Sequence, residues 1–176
     1  MSISVFDQTI GVMTRMLTHL DRIVGMAARW AEEREIDPDA LLQARLYPDM
    51  LTFVHQVRIA TDVGKGAAAR LSGREPPSWE DNERTFAEVR ERIRKALEYF
   101  ATFSPGDFDG AEDREITLKL RVGTLRFSGR DYVLGFVLPN FYFHVTTAYN
   151  LLRHNGLEIG KADFLAGGRM PVQDGE

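Results

Sequence analysis

One long apolar stripe at helical spacing in the N-terminal part of the chain constrains the fold most. From Phe6 onward, apolar residues recur in alternating steps of four and three, and they are Phe6, Ile10, Met13, Leu17, Leu20, Val24, Ala27 and Ala31. This spacing predicts an amphipathic helix of about 30 residues. Ser4 is a suitable N-cap because its hydroxyl can accept from a free backbone N–H of the first turn. A helix with one apolar face must bury that face against other elements.

Two further helices are predicted in the next part of the chain. Residues 36–44 read as a short linking helix, with Asp37 as its cap and Pro38 at its first position, where a missing N–H costs nothing. Residues 49–71, opened by Pro48, read as the second long helix. Gly64 and Gly66 within it are expected to let a neighbouring backbone come close.

Two long helices and one short helix are predicted after residue 77. The third long helix spans residues 78–100, with Ser78 as N-cap and Asp81 three residues later as a variant of the capping box. The fourth runs from Asn140 or just before it to residue 155, and Gly156 ends it in a left-handed conformation. A short helix is predicted over residues 160–165.

The hydrophobic period changes from helical spacing to strict alternation within residues 115–128. Ile116, Leu118 and Leu120 alternate with polar residues, and Leu125 and Phe127 alternate again after Gly123. Two short strands joined by a turn at residues 122–124 account for this pattern, and a second turn is predicted at residues 128–131. We therefore predict an all-α protein, an antiparallel-type four-helix bundle with a small β-hairpin inserted between helices 3 and 4.

Length and charge restrict the domain count and the classes of partner. A chain of 176 residues can bury one core, so residues 1–168 are assigned to a single bundle domain and residues 169–176 to a disordered tail. The net charge of −4 argues against a nucleic-acid partner, which normally requires a basic surface. The basic run Arg90, Arg92, Arg94 and Lys95 alternates with glutamates and is interpreted as a solvated helix face.

The absence of cysteine excludes thiolate nucleophiles and cysteine-ligated zinc. Any metal must therefore be held by nitrogen and oxygen ligands. The N-terminus lacks a signal-peptide pattern, and no run of about 18 apolar residues is present. We expect no membrane partner and a cytoplasmic, bacterial-type enzyme or binding protein.

Two of the four histidines are candidates for a site inside the bundle. His55 lies in the second predicted long helix, and His144 lies in the fourth, one turn after Asn140. Side chains from different helices of a bundle can converge on one interior point, which is how such folds build metal sites. His55, Asn140 and His144 are therefore predicted to line one site.

The alternative is that these histidines are structural. Buried imidazoles need partners, and His55 and His144 could hydrogen-bond to each other, to Asn140 or to a tyrosine. His19 is expected at the surface, and His154 at a helix end where its charge suits the helix dipole. The aromatic residues around His144 are expected to fill the core, with a pocket lining as the alternative, and they are Phe136, Phe141, Tyr142, Phe143 and Tyr149.

The stretch PNFYFHVTTAYNLLRHNGLEIGKADFL, the lone histidine of helix 2 and the hairpin before the last helix resemble a known family. It is an uncharacterised bacterial domain-of-unknown-function family of the DinB/YfiT-like superfamily, and the resemblance extends to about Leu165. It implies a four-helix bundle that is often dimeric. Better-known members hold a divalent metal with one histidine of helix 2 and an HxxxH pair of the last helix.

Residue by residue, the resemblance implies that His55 and His144 match two of those three ligands. Asn140 stands where the first histidine of HxxxH is found, which lowers the expected metal affinity. The superfamily includes thiol transferases and maleylpyruvate isomerases. The leading hypothesis is a homodimer with a divalent metal (zinc, nickel or iron) at His55, Asn140 and His144 that acts as a metal-dependent transferase on a small thiol or related substrate. The alternative is a noncatalytic small-ligand-binding or stress-related dimer whose metal site is degenerate and empty.

Overall fold

Four long helices form the bundle: α1 (Val12–Glu33), α3 (Phe53–Leu71), α4 (Phe86–Phe100) and α6 (Leu138–His154). The computed structural model describes residues 3–120 and 123–168, with only the backbone at Leu120. The connections contain the short helices α2 (Pro38–Leu42), α5 (Gly129–Asp131) and α7 (Lys161–Ala166) and a 3₁₀ turn at Pro105–Phe108. The predicted tail at residues 169–176 lies outside the described residues.

The predicted hairpin is confirmed between α4 and α5. Strands β1 (Glu115–Leu120) and β2 (Gly123–Ser128) pair antiparallel, with Ile116 opposite Phe127 and Leu118 opposite Leu125. Residues 121 and 122, where the strands are joined, lie outside the described residues, and Gly123 already belongs to β2. The predicted class, an all-α bundle with this insertion, is also confirmed.

The directions of the four long helices follow from their side-chain contacts. Asp21 of α1 pairs with Arg90 of α4, while the earlier Met13 and the later Phe100 both lie beside Gly64, so α1 and α4 are antiparallel. On α3, Phe53 packs on Phe86 and Thr61 bonds to Arg92, so α3 and α4 are parallel. Gln56 and Arg70 of α3 bond to His144 and Tyr132, so α3 and α6 are antiparallel. It follows that the fourth neighbouring pair, α1 and α6, is parallel. The bundle therefore has two antiparallel and two parallel pairs.

The apolar stripe that predicted α1 forms one wall of the core. Its residues from Ile10 to Ala31 are all buried, and Phe6 is half-buried. Gly64 of α3 packs closely, because a Cβ there would lie 2.6 Å from the ring of Phe100. Within the described residues, no helix combines the length and apolarity needed to cross a membrane.

The predicted caps of the first two helices are confirmed. Ser4 Oγ accepts from the backbone N–H of Asp7 at 3.1 Å, and helical backbone begins at Val5. Asp37 accepts from the N–H of Asp39, and Pro38 opens α2 as expected. Gly156 follows α6 with a positive φ of 105°.

The predicted starts of the second and third long helices are wrong. α3 begins at Phe53, because Met50 is held in a turn by its N–H bond to the Tyr47 carbonyl and Thr52 is extended. α4 begins at Phe86, because the true capping box is Thr85 with Glu88. Residues 74–84 join α3 to α4 without helical structure, and we call this segment the connector.

The predicted start of the last helix, and the predicted turn at residues 128–131, are also wrong. Helical backbone runs from Gly129 through a π-helical turn at Tyr132–Val137 into α6. Pro139 thus lies inside a helix, where it lacks an N–H and crowds the preceding turn. The wider π turn immediately before Pro139 accommodates that loss. A second π turn, Asp7–Gly11, precedes α1.

Candidate functional site

His144 is the most enclosed of the three predicted site residues. It lies on α6 facing α3, and only 8% of its surface is exposed. Its Nδ1 lies 2.7 Å from Oε1 of Gln56. The imidazole is therefore anchored to the first turns of the neighbouring helix.

The bonds of Gln56 determine which nitrogen of His144 carries the proton. The amide Nε2 of Gln56 donates to the carbonyl of Leu51 at 3.1 Å, so its Oε1 is the atom that faces His144. An amide oxygen can only accept, so Nδ1 of His144 must donate. Burial lowers the pKa of His144 below its ordinary value of 6.5, which favours the neutral ring. In a neutral ring with hydrogen on Nδ1, Nε2 carries a free lone pair.

The Nε2 atom of His144 has no hydrogen-bond partner among residues 3–120 and 123–168. Fully enclosed side-chain nitrogen and oxygen atoms in those ranges all have partners. The remaining exposure of the ring therefore includes Nε2. This atom can accept a hydrogen bond, take a proton or coordinate a metal.

His55 lies one residue before Gln56, and its surroundings differ. Its Nδ1 lies 2.7 Å from Oγ1 of Thr52, the N-cap residue of α3. Burial lowers the pKa of His55, the guanidinium groups of Arg58 and Arg45 lower it further, and Asp81 opposes them. Because adjacent helical residues point about 100° apart, His55 faces this charged side of α3 while Gln56 faces α6.

Asn140 shares the face of α6 with His144, one turn earlier, and is half-exposed. The expected structural partners of the histidines were each other, Asn140 or a tyrosine. In the structure, His144 instead hydrogen-bonds to Gln56, and His55 hydrogen-bonds to Thr52. Gln56 was missed, although its position three residues after Phe53 and four before Ala60 places it on a second buried row of α3.

The predicted metal set remains a prediction. Among the described residues, no group of three or more histidines, cysteines or carboxylates is placed to hold a metal. The predicted set contains only two such residues with an amide, so this result does not decide it. The set also lines none of four well-formed cavities, of about 250 to 530 Å³, in the described part of the chain.

The aromatic residues around His144 divide between core and surface. Phe141 is fully buried, as expected, but Tyr142 and Phe143 are 37% and 56% exposed. The Phe143 ring lies edge-on to the imidazole of His144, with ring centres 5.2 Å apart. An exposed aromatic surface therefore borders His144.

The other two histidines have simpler surroundings. His154 is exposed in the last turn of α6, as predicted. His19 is half-buried rather than free at the surface, and its Nδ1 lies 3.0 Å from the carbonyl of Phe164. It joins α1 to α7.

A second polar cluster, which sequence reasoning missed, lies between α3 and α4. Arg92 was interpreted as part of a solvated face, but it is 4% exposed. Its guanidinium bonds at 2.8 to 3.0 Å to five groups, which are Thr61 Oγ1, Asp62, the Glu80 carbonyl, Asp81 and Glu83. The available sequence signal was its position three residues after Val89, on the buried side of α4.

Glu83 is the main anion of this cluster. It bonds to Arg92 at 2.8 Å and to Arg58 at 2.6 Å. Burial alone would raise the pKa of Glu83, but hydrogen bonds from Arg92 and Arg58 hold it below its ordinary value of 4.5. The connector carries Glu80, Asp81 and Glu83, so the cluster fixes the connector to both helices.

The comparisons with known proteins agree with this architecture. The model of a family described as Domain of unknown function (DUF1993) matches residues 5–165. The chain belongs to the DUF1993 family. A crystal structure of a DinB family member protein from Shewanella denitrificans superposes with a TM-score of 0.88 at 39% identity, and the match covers 96% of this chain and 94% of that chain. No curated protein matches this chain.

These matches confirm the resemblance to an uncharacterised DinB-like family, but they do not assign an activity to this chain. The DUF1993 description names a family without an assigned function. The solved structure is described only as a DinB family member. What this chain does must therefore be argued from its own residues.

Proposed function

We propose that this DinB-like protein binds a small molecule at His144, through a hydrogen bond donated to Nε2 by a thiol or hydroxyl group. The observation that supports this is the Gln56 bond, which places the ring hydrogen on Nδ1 and leaves Nε2 without a described partner. Nε2 lies in the exposed part of an otherwise buried, neutral imidazole, so its lone pair can accept a hydrogen bond from a ligand.

The second contact of such a ligand is the exposed ring of Phe143 beside His144. Aromatic side chains give ligand sites apolar area, while a few polar groups orient the ligand. An aromatic or aliphatic thiol fits both contacts, because its S–H can donate to Nε2 of His144 and its apolar part can pack on Phe143. Asn140, one turn away on the same helix face, offers an amide for a further polar group.

The test is calorimetric titration with benzyl mercaptan, benzyl alcohol and benzyl methyl sulfide. We expect the two donors to bind more tightly than the sulfide, which cannot donate. His144→Ala should remove this preference, a loss of roughly fivefold that corresponds to one hydrogen bond. His154→Ala is the matched control because His154 is exposed at the end of the same helix. Equal binding of all three compounds to the unaltered protein would refute the proposal.

The second candidate is the metal-dependent transferase acting on a small thiol, with zinc, nickel or iron held by His55, Asn140 and His144. One observation favours it: both rings are bonded through Nδ1 and leave Nε2 for a metal, as metal-bound histidines usually do. The third donor does not fit, because Asn140 brings no charge and two guanidinium groups lie near His55. We therefore derive no catalytic step through a metal.

Metal analysis of protein produced without an affinity tag, under metal repletion, tests this candidate. Stoichiometric metal that is lost in both His55→Ala and His144→Ala would establish it. Metal-free protein that still distinguishes benzyl mercaptan from its sulfide would leave the first proposal alone.

The homodimer remains part of the proposal. Leu46, Tyr47 and Leu51 are large apolar side chains, 37%, 66% and 42% exposed, that a second copy could cover. Sedimentation of the unaltered chain measures its oligomeric state. A monomer at all concentrations would remove the dimer from the proposal without affecting ligand binding at His144.

A further inference from the structure

A concave site lies away from His144, beside the helical turns that precede α6. It is a cavity of about 530 Å³ between the N-terminal residues, the 3₁₀ turn at Pro105–Phe108 and the start of the last helix, and we call it the N-terminal cleft. Leu134 in the cleft precedes His144 by ten residues of helix, which corresponds to roughly 15 Å. Its volume lies within the range of small-molecule sites.

Apolar side chains make up about half of the lining of the N-terminal cleft. Ile3 and Leu134 both line it and are 72% and 51% exposed, unusually high for large apolar side chains. Phe6 and Phe108 also line it and pack edge to face with ring centres 5.4 Å apart. Such exposed apolar surface in a concave place indicates a ligand site.

Both π-helical turns of the structure contribute to this cleft. Asp7–Gly11 supplies Gln8, and Tyr132–Val137 supplies Val133 and Leu134. Pro139 accounts for the second turn, but the sequence DQTIG of the first contains no proline. Single π turns within helices are rare and are often found at functional sites. The first turn therefore supports the cleft as a binding site independently of its shape.

The rim of the cleft carries charges of both signs. Arg130 lies on it, and so do Asp109 and Glu112. None of the described residues forms an ion pair with these three side chains. Unpaired charges of opposite sign above an apolar floor match a ligand that is itself apolar and zwitterionic.

We propose that the N-terminal cleft binds a hydrophobic amino acid or short peptide. Its carboxylate bonds to the Arg130 guanidinium, its ammonium group is attracted to Asp109 and Glu112, and its side chain packs on Phe6, Phe108 and Leu134. A guanidinium binds a carboxylate through paired, charge-assisted hydrogen bonds.

Calorimetric titration of the full chain with L-phenylalanine tests the proposal, with phenylacetate and phenethylamine as probes that each lack one charge. L-Phenylalanine should bind most tightly. Arg130→Gln should weaken its binding roughly tenfold and leave phenethylamine binding nearly unchanged. Arg94→Gln is the matched control, since Arg94 is also exposed but lies on α4 outside the cleft.

A second variant keeps the test informative about the floor of the cleft. Leu134→Glu adds a charge at an exposed position, so we expect the fold to be retained, which circular dichroism would verify. The variant should no longer bind L-phenylalanine. Failure of the unaltered protein to bind L-phenylalanine, or equal binding of all three probes, would overturn the proposal. Neither result bears on ligand binding at His144.

Discussion

The two polar interfaces of helix α3 differ in how completely their hydrogen bonds are used. Toward α4, Arg92 meets five acceptors, and Glu83 is bonded to two guanidinium groups. Toward α6, Gln56 satisfies only one nitrogen of His144 and leaves Nε2 without a described partner. Both interfaces are buried and polar, but the central side chain makes many bonds in the first and one in the second.

This difference separates a structural from a functional role. An ionic cluster with this many bonds holds neighbouring elements together, and breaking it exposes unpaired charge inside the protein. A neutral imidazole with one free nitrogen costs less to bury and can still react or bind. We therefore assign the α3–α4 cluster to holding the connector and the α3–α6 pair to function.

The largest expected effect comes from breaking the α3–α4 cluster. Arg92→Met keeps much of the side-chain volume but leaves buried acceptors without their donor. We expect a loss of about 3 kcal/mol in the free energy of unfolding, measured by urea denaturation. Arg94→Met, on the exposed face of the same helix, should change it by less than about 0.5 kcal/mol. Equal effects of the two variants would show that Arg92 is dispensable.

A smaller effect is expected at the α3–α6 interface. Gln56→Leu leaves the Nδ1–H of His144 without a partner in a buried place, which costs about 1 to 3 kcal/mol. Gln56→Glu should instead raise the pKa of His144, because it places a carboxylate beside the ring. Urea denaturation measures the first change and an NMR titration the second. Gln43→Leu, at an exposed position, is the control. An unchanged pKa in Gln56→Glu would contradict the assigned hydrogen bond.

The smallest expected effects are on pH dependence, and the two histidines should titrate in a different pH window from Glu83. The lowered pKa values of His144 and His55 mean that the unfolded chain binds more protons, so stability falls as pH drops below about 6.5. The lowered pKa of Glu83 gives a further loss only as pH drops below about 4.5. Both contributions are fully present at neutral pH.

Urea denaturation at a series of pH values measures these windows. His144→Gln should reduce the pH dependence of the unfolding free energy between pH 6.5 and the lowered histidine pKa. It should leave the pH dependence below about 4.5 unchanged. Glu83→Gln should do the reverse. If His144→Gln altered only the acid window, the assignment of the neutral ring would be wrong.

The fold was largely predictable because its signals are local. The stripe from Phe6 to Ala31 and the alternation around Ile116 each fix an element and its buried face. The starts of α3, α4 and α6 were not predictable in the same way. Pro48 and Pro139 suggested the starts of α3 and α6, and Ser78 with Asp81 suggested the start of α4. The turn at Met50, the capping box at Thr85 and the π turn before α6 moved these boundaries.

The candidate site was predictable only in part. His144 and His55 were identified because histidines on two helices of a bundle are uncommon enough to single out. Gln56 and Arg92 were not, since glutamine and arginine usually face solvent, and only their partners explain their burial.

The sequence by itself determined which segments are helical, which of their faces are apolar and where the hairpin is inserted. The physical reason is that periodicity and capping act over a few neighbouring residues. Only the tertiary structure decided that Arg92 lies among several acidic groups and that Nε2 of His144 has no partner among the described residues. These outcomes depend on groups far apart in the chain, 88 residues for Gln56 and His144, and no local pattern specifies their meeting.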